Sequence, residues 1–314
     1  MNTQDTNEKS IVFFEARPES DTAPQPGEES PVIIIERDET VVANVHPRRR
    51  RWMFIVAAIM VVILGALATR VAWQYLRNNI GVTISCTPEE NIEKLKASAN
   101  APITPEVVMT EENVLDVAMR LYELRGLKAE MVMEAPDTTD RSVYLYCRSA
   151  DYTAEYSMIG NTVANGVDLE SQPSGRIGYL ASADGNFVIG VARNERIREY
   201  IKTREGCFFR QFILVSNGKL PPTFYLHGKV SRRAIGRTID DRYFFIETHN
   251  PETMWSFADA LRSYGFIDAI YIRGGRDYGF YRTADGTAHD FIHDIRLPEG
   301  VTENRIPWLV FKAK

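Results

Sequence analysis

The chain has 314 residues, of which 44% are apolar and 25% charged, and a formal net charge of −5. That length allows one or two domains with a sizeable core. The acidic balance argues against a nucleic-acid binder, which needs a basic face to meet phosphates.

Residues 1–46 are polar, acidic and proline-bearing, the composition of a disordered tail. Within it Ser10–Ser20 (SIVFFEARPES) parallels Ser30–Thr40 (SPVIIIERDET). Each copy is a strand-prone apolar run followed by Arg, an acid and a hydroxyl residue. The pair is either a low-complexity coincidence or a motif that adds as a strand to a cytoplasmic partner.

Residues 47–76 read as a basic flank and a transmembrane signal anchor. Arg48 to Arg51 precede Trp52, and no charged residue occurs from Met53 to Thr69. This is the short end of a membrane span. Arg70 interrupts, but a long basic side chain near a helix end snorkels to the interface. Val71 to Leu76 extend the helix, so contact with the membrane is expected over 53–76, and Trp52, Trp73 and Tyr75 suit the two interfacial belts. A cleaved signal peptide fits poorly, because the preceding tail is long and no A-x-A site follows. The arginines put the N-terminus in the cytoplasm and the C-terminal part outside it, in a periplasm or the cell exterior.

Residues 77–140 read as a membrane-proximal helical segment. Thr87 has N-cap chemistry, followed by Pro88 and two acids that suit the positive end of a helix dipole. Thr110 is expected to cap a second helix, with Val114, Leu115, Val117, Ala118, Leu121 and Leu124 as its apolar face and Gly126 as its end.

From residue 141 to 314 the pattern turns to strands. Val143–Cys147 is strand-prone, and Ile177–Ala181 and Phe187–Val191 flank the hairpin signal Asp184-Gly185. Asn194 caps a helix over 195–204. Phe208–Val215 is a strand turned by Asn217-Gly218, and Tyr278–Arg282 and Trp308–Phe311 follow around Asp285-Gly286. Two strands, Arg233–Gly236 and Tyr243–Glu247, surround Asp240-Asp241. Asn250 and Pro251 open a helix with Met254, Phe257, Ala258, Leu261 and Tyr264 on one face, and Gly265 ends it. Ile267–Ile272 is a buried strand that delivers Arg273-Gly274-Gly275. The fold class expected is α+β: a mainly antiparallel sheet with packed helices, preceded by one transmembrane helix.

Several side chains invite chemistry. The guanidinium fork of Arg232 can pair phosphate oxygens in bidentate fashion. Glu247, Asp268 and Asp277 lie near strand ends and are the candidate catalytic carboxylates, each with a plain cap or ion pair as the alternative. Glycines 274 and 275 let backbone approach a ligand closely, or form a simple turn. His289-x-x-x-His293 could share a metal on a helix, but in a strand the two rings stand about 13 Å apart. No third ligand is apparent, so no metal is expected, and no cofactor motif is present. Cys86, Cys147 and Cys207 allow one disulfide at most, or are small buried hydrophobes, and Cys207 has no histidine at a nucleophile's spacing.

The segment Ser231–Asp277 resembles the phosphodiester glycosidase family. Arg232-Arg233-Ala234-Ile235-Gly236 is similar to its R-T-A-I-G motif, and Asp268-Ala269-Ile270-Tyr271-Ile272-Arg273-Gly274-Gly275 is similar in part to its D-A-x-N-L-D-G-G-G-S-S segment. Gln211–Lys219 resembles the family's strand ending in a D-G-K turn. The likeness covers Gly175–Tyr281. It departs where Arg273 stands for an Asp and Arg276, Asp277 and Tyr278 replace Gly-Ser-Ser. The family's N-G-G-F-F motif has only Gly160-Asn161 and Asn165-Gly166 as partial counterparts.

The resemblance implies a domain over 141–314 that hydrolyses a sugar-1-phosphate diester in a glycan. Arg232, Arg273, Gly274 and Gly275 would bind substrate, and Glu247, Asp268 and Asp277 would carry the catalysis. The alternative is a catalytically inactive member of the fold that binds an anionic glycan or an envelope partner.

Overall fold

The computed structural model describes residues 47–97, 103–153, 157–224, 226–274, 278–291 and 307–314. The Ser10–Ser20 and Ser30–Thr40 repeats, Gly275, Asp277 and His293 lie outside the described residues. The chain divides into two compact units, 1–59 and 60–314. What is described of the first is the opening of helix α1 (Pro47–Ile80), which runs on into the second. Trp52–Ala72, 21 residues of this helix, is long and apolar enough to cross a membrane, and its side chains are exposed.

The second unit is mostly antiparallel sheet. Helix α2 (Pro88–Lys96) opens on Thr87, the N-cap expected from the sequence, and the structure extends this to a capping box: the Thr87 side chain accepts from the Glu90 amide, and Glu90 accepts from the Thr87 amide at 2.7 Å. Then come β1 (Glu106–Val114), β2 (Val117–Arg125), β3 (Leu127–Val132) and β4 (Val143–Arg148). Four short strands follow, β5 (Met158–Ile159), β6 (Thr162–Ala164), β7 (Val167–Leu169) and β8 (Ser171–Gln172). The hairpin β9 (Gly178–Ala183) and β10 (Asn186–Val191) turns on Asp184-Gly185, both at positive φ, as a tight turn matched to strand twist requires. Helix α3 (Arg196–Lys202) leads to β11 (Cys207–Gln211), β12 (Ile213–Ser216), β13 (Arg233–Thr238) and β14 (Tyr243–Thr248). Helix α4 (Met254–Tyr264) is followed by β15 (Phe266–Ile272), β16 (Gly279–Arg282), β17 (Ala288–Phe291) and β18 (Trp308–Ala313).

These strands form three larger antiparallel sheets: six-stranded β1-β2-β14-β13-β15-β12, five-stranded β10-β9-β11-β6-β7, and five-stranded β17-β16-β4-β18-β3. The pair β5-β8 is parallel. One core is shared by all three sheets, with Tyr122, Phe245 and Ile270 from the first, Leu180 and Phe209 from the second, and Leu145, Leu309 and Phe311 from the third. The far face of the six-stranded sheet packs on Met254, Phe257, Ala258 and Leu261 of α4, each large apolar side chain contributing roughly 1.5–3 kcal/mol. The far face of the β9 sheet packs with Leu95 of α2 and with Ile197 and Ile201 of α3.

Three expectations are corrected. Residues 110–126 form no helix but most of the β1–β2 hairpin, with Val114 opposite Val117. Val117, Met119 and Leu121 alternate toward the core, and Leu115-Asp116 turn at positive φ. Counting Leu115 and Ala118 as apolar disguised this two-residue period as a helical one. Strands β1–β3 moreover join sheets with C-terminal strands, β2 beside β14 and β3 beside β18, so the stretch is not helical from Glu106 onward. Second, α4 starts at Met254 with Thr253 as its N-cap, whereas Asn250 and Pro251 lie before it. Glu252 is held extended by mutual backbone bonds with Val230, which delays the helix. Third, Phe208–Val215 is two strands in different sheets, β11 and β12.

Candidate functional site at one end of the six-stranded sheet

Antiparallel pairing brings the start of β13, the end of β14, the end of β15 and the start of β2 to one end of the six-stranded sheet. Arg233 pairs with Glu247 on one side and Ile272 on the other, Glu247 pairs with Arg120, and Arg120 with Glu111. Directly opposed side chains share a face, so Glu111, Arg120, Glu247 and Arg233 make a row of alternating charge across four strands.

The row lies on the sheet face that carries the shared core. Glu247 accepts from the Tyr122 hydroxyl at 3.1 Å and from Arg233 Nε at 3.4 Å, and Arg120 Nη1 stands 3.7 Å from it. Burial, then the Glu247 charge, push the Tyr122 hydroxyl above its ordinary range, so it stays a donor. Arg233 is buried, with its side chain 3% exposed, and its guanidinium lies over the Phe291 ring at 5.6 Å. Its Nη1 has no hydrogen-bond partner among the described residues. Tyr281, stacked on His289, closes the row from the facing sheet at 4.9 Å from Tyr122. Next to Arg120 a cavity of about 310 Å³ has Glu111, Glu112 and His249 on its walls, and Arg120 Nη2 meets His249 Nδ1 at 3.3 Å.

Arg232, one residue earlier, points to the other face. It is 2% exposed, and it donates from Nε to the Glu252 carbonyl at 2.9 Å and from Nη2 to the Gly228 carbonyl at 2.8 Å. Its amide donates to Thr248 Oγ1. Arg232 and Glu247 therefore do not converge. Gly274 is near Arg232: its amide donates to the Tyr271 hydroxyl, and a Cβ there would lie 2.5 Å from the Ser231 carbonyl. The close backbone approach that glycine permits is used on the chain itself. The Arg273 guanidinium stacks on Tyr152 at 3.7 Å. Close by, Arg176 is ion-paired to Asp151 at 2.9 Å and lies over Phe212 at 4.3 Å.

Asp268 is at the far end of β15 from Gly274. It is 1% exposed and accepts from Arg237 at 2.5 Å, from Ser85 at 2.5 Å and from the Asn217 amide at 3.2 Å. Burial works against the Arg237 charge, yet its bonds to Asp268 and Asp241 hold its proton more firmly than usual. That arrangement ties β13, β15 and the Ser85 segment together. A cavity of about 420 Å³ with Lys94, Asp241 and Tyr243 on its walls also lies at that end. His289 is in strand β17, and no group of three or more metal-ligating side chains occurs among the described residues.

Sequence reasoning singled out Glu247 but passed over Arg233, Arg120, Tyr122 and Tyr281. The signal for Arg233 was available. In R-R-A-I-G, Ala234 and Gly236 are small enough to lie beneath a helix, so alternation puts Arg232 on their side and Arg233 on the other.

No family model matches the chain, and no curated protein matches its sequence. The chain is similar to the zebrafish N-acetylglucosamine-1-phosphodiester alpha-N-acetylglucosaminidase catalytic domain auto-inhibited by its pro-peptide, at 10% identity and a TM-score of 0.49, over 70% of this chain and 86% of that one. It is also similar to a hypothetical protein from Synechocystis, at 10% identity and a TM-score of 0.41, over 68% of this chain and 64% of that one. These are distant likenesses of structure.

Proposed function

We propose that the chain is a membrane-anchored, extracytoplasmic phosphodiester glycosidase-like protein that takes a sugar-1-phosphate diester of a glycan at the Arg120–Glu247–Arg233 row. The observation that carries this reading is the buried Arg233 guanidinium, in the R-R-A-I-G motif, with one nitrogen lacking an acceptor beside Glu247. Leaving a buried donor unmet costs about 1–3 kcal/mol, and a phosphate oxygen is the acceptor a guanidinium fits best. The cavity beside Arg120 offers Glu111, Glu112 and His249 to sugar hydroxyls.

In this reading Arg233 and Arg120 neutralise the charge that grows on the departing phosphate. Glu247, oriented by Tyr122, takes a proton from the water that forms the new bond to the anomeric carbon as the bond from that carbon to the phosphate oxygen breaks. Arg232 supports the site through the Glu252 and Gly228 carbonyls. A phosphate leaving group needs little protonation, so one carboxylate and two cations are an adequate set.

A second reading is a binding protein without turnover. It is favoured by Glu247, whose two oxygens are already engaged by Tyr122 and Arg233, and by Arg273, which stands where the family motif has an acid. The test is titration and turnover of the detergent-solubilised full chain on neutral and acidic sugar-1-phosphate diesters. Saturable binding that weakens with added salt supports the site. Turnover lost in Glu247→Gln identifies the hydrolase, and binding without turnover identifies the second reading. No binding of any diester overturns both.

A further inference from the structure

One surface of the domain exposes two large apolar side chains close together. Trp255 is 54% exposed and Val230 42% exposed. Phe224 meets the Trp255 ring edge-on at 5.8 Å, and Val230 is bridged to Glu252, three residues before Trp255. Pro222 is exposed beside them, and Lys219 and Lys229 are exposed nearby in the chain.

The same surface receives the chain as it leaves the apolar helix. Helix α1 ends at Ile80, and Gly81 packs on Pro222 so tightly that a Cβ would lie 2.7 Å from its ring. Val82 is buried and lines a small cavity with Pro221, Pro222, Phe224 and Met254. The Thr83 carbonyl accepts from Ser216 at 2.5 Å. Hence no slack linker separates the helix from this face. From Ala72, where the apolar span ends, to Ile80 the helix rises about 12 Å, while a headgroup layer is roughly 5–8 Å deep on each side. The face is thereby held within a side chain's reach of the headgroups.

We propose that Pro222, Phe224, Val230 and Trp255 rest in the headgroup layer of the outer leaflet, with Lys219 and Lys229 on lipid phosphates. The chemistry is that of an interfacial belt: an amphipathic aromatic ring sits at headgroup level, and ammonium groups meet anionic headgroups. Chain connectivity from Ile80 through Gly81 to Pro222 brings the bilayer to this face. This inference rests on the membrane-anchor reading above.

The experiment uses the full chain reconstituted in phosphatidylcholine–phosphatidylglycerol vesicles, with lipids brominated near the headgroup as quenchers. Flotation after alkaline carbonate first checks that the chain is integral. Tryptophan emission is then compared between the parent and Trp255→Phe, so that their difference reports Trp255 alone. The expected result is a Trp255 contribution that is blue-shifted and quenched by brominated lipid, with quenching reduced in Lys219→Glu/Lys229→Glu. An integral chain whose Trp255 contribution is unquenched overturns the docking while sparing the anchor, even if that face then captures a protein. A chain stripped by carbonate overturns the anchor and the docking together.

Discussion

Arg233 and Glu247 face each other across β13 and β14, Nε to carboxylate at 3.4 Å, while the next nitrogen of the same guanidinium has no acceptor among the described residues. Its neighbour Arg232 has two backbone carbonyls as acceptors on the opposite face of the sheet. Adjacent arginines of one motif thus stand in opposite situations. One is satisfied by the fold, and the other has capacity for a ligand.

Substituting the two arginines should separate these roles. Arg233→Gln is expected to weaken diester binding by at least tenfold, equivalent to about 1.4 kcal/mol, with a smaller loss of thermal stability. Arg232→Gln is expected to lower stability by about 1–3 kcal/mol, because the part-buried bonds from its guanidinium to the Glu252 and Gly228 carbonyls are lost at roughly 0.5–1.5 kcal/mol each. Calorimetric titration and urea unfolding on the same preparations check both. Equal effects of the two substitutions on affinity, with stability unchanged, would overturn the assignment.

Asp268 is expected to act through stability. Asp268→Asn leaves the Arg237 charge buried with only Asp241 opposite it, and breaking a buried pair costs about 3–5 kcal/mol. Arg237→Met/Asp268→Leu, which removes both charges, should recover much of that loss. A urea midpoint unmoved by Asp268→Asn would show that the pair contributes nothing.

The thiols give a pH signature. Cys147 and Cys207 are buried and Cys86 is partly exposed. Burial pushes the Cys207 thiol up to about 12, against about 8.5 in an unfolded chain. The folded state therefore holds its proton longer than the unfolded state. This contribution to stability is fully present below about pH 8.5 and is lost as pH rises toward 12. Urea midpoints should fall above pH 8.5, and Cys207→Ala should flatten the slope. Alkylation of the native chain at pH 8, read by mass spectrometry, should mark Cys86 and leave Cys207 unmodified until denaturant is added.

The topology proposal predicts that a reporter active only outside the cytoplasm is active when fused after Lys314. Arg48–Arg51 carry the orientation. Replacing them with acidic residues should lower that activity severalfold. Strong signal from a cytoplasm-only reporter at Lys314 would exclude the N-in orientation.

Much of the fold was legible in local signals. Thr87 and its acids, the Asp184-Gly185 turn, the apolar face from Met254 to Leu261 and Gly265 in the left-handed region each impose one local geometry, and each is observed. The antiparallel character and the apolar helix over Trp52–Ala72 were legible for the same reason. The β1–β2 hairpin was not, because its alternation overlaps a helical period and its turn, Leu115-Asp116, lacks glycine. The charged row was hidden for a different reason. Arg120 and Glu247 are far apart in the chain, and only strand pairing joins them. Local sequence says that an arginine is present, whereas register decides which neighbour it meets.

Strand β18 comes last among the described elements, yet it lies inside its sheet, between β3 and β4. Those two partners emerge from the ribosome far earlier and must wait with open edges until residues 308–313 arrive. Closure of such long loops is slow, and exposed edges invite wrong pairing. The third sheet therefore cannot close until residues 308–313 have been made. A product cut short before Trp308 lacks the strand that joins β3 to β4 and offers both edges to proteases and holdase chaperones.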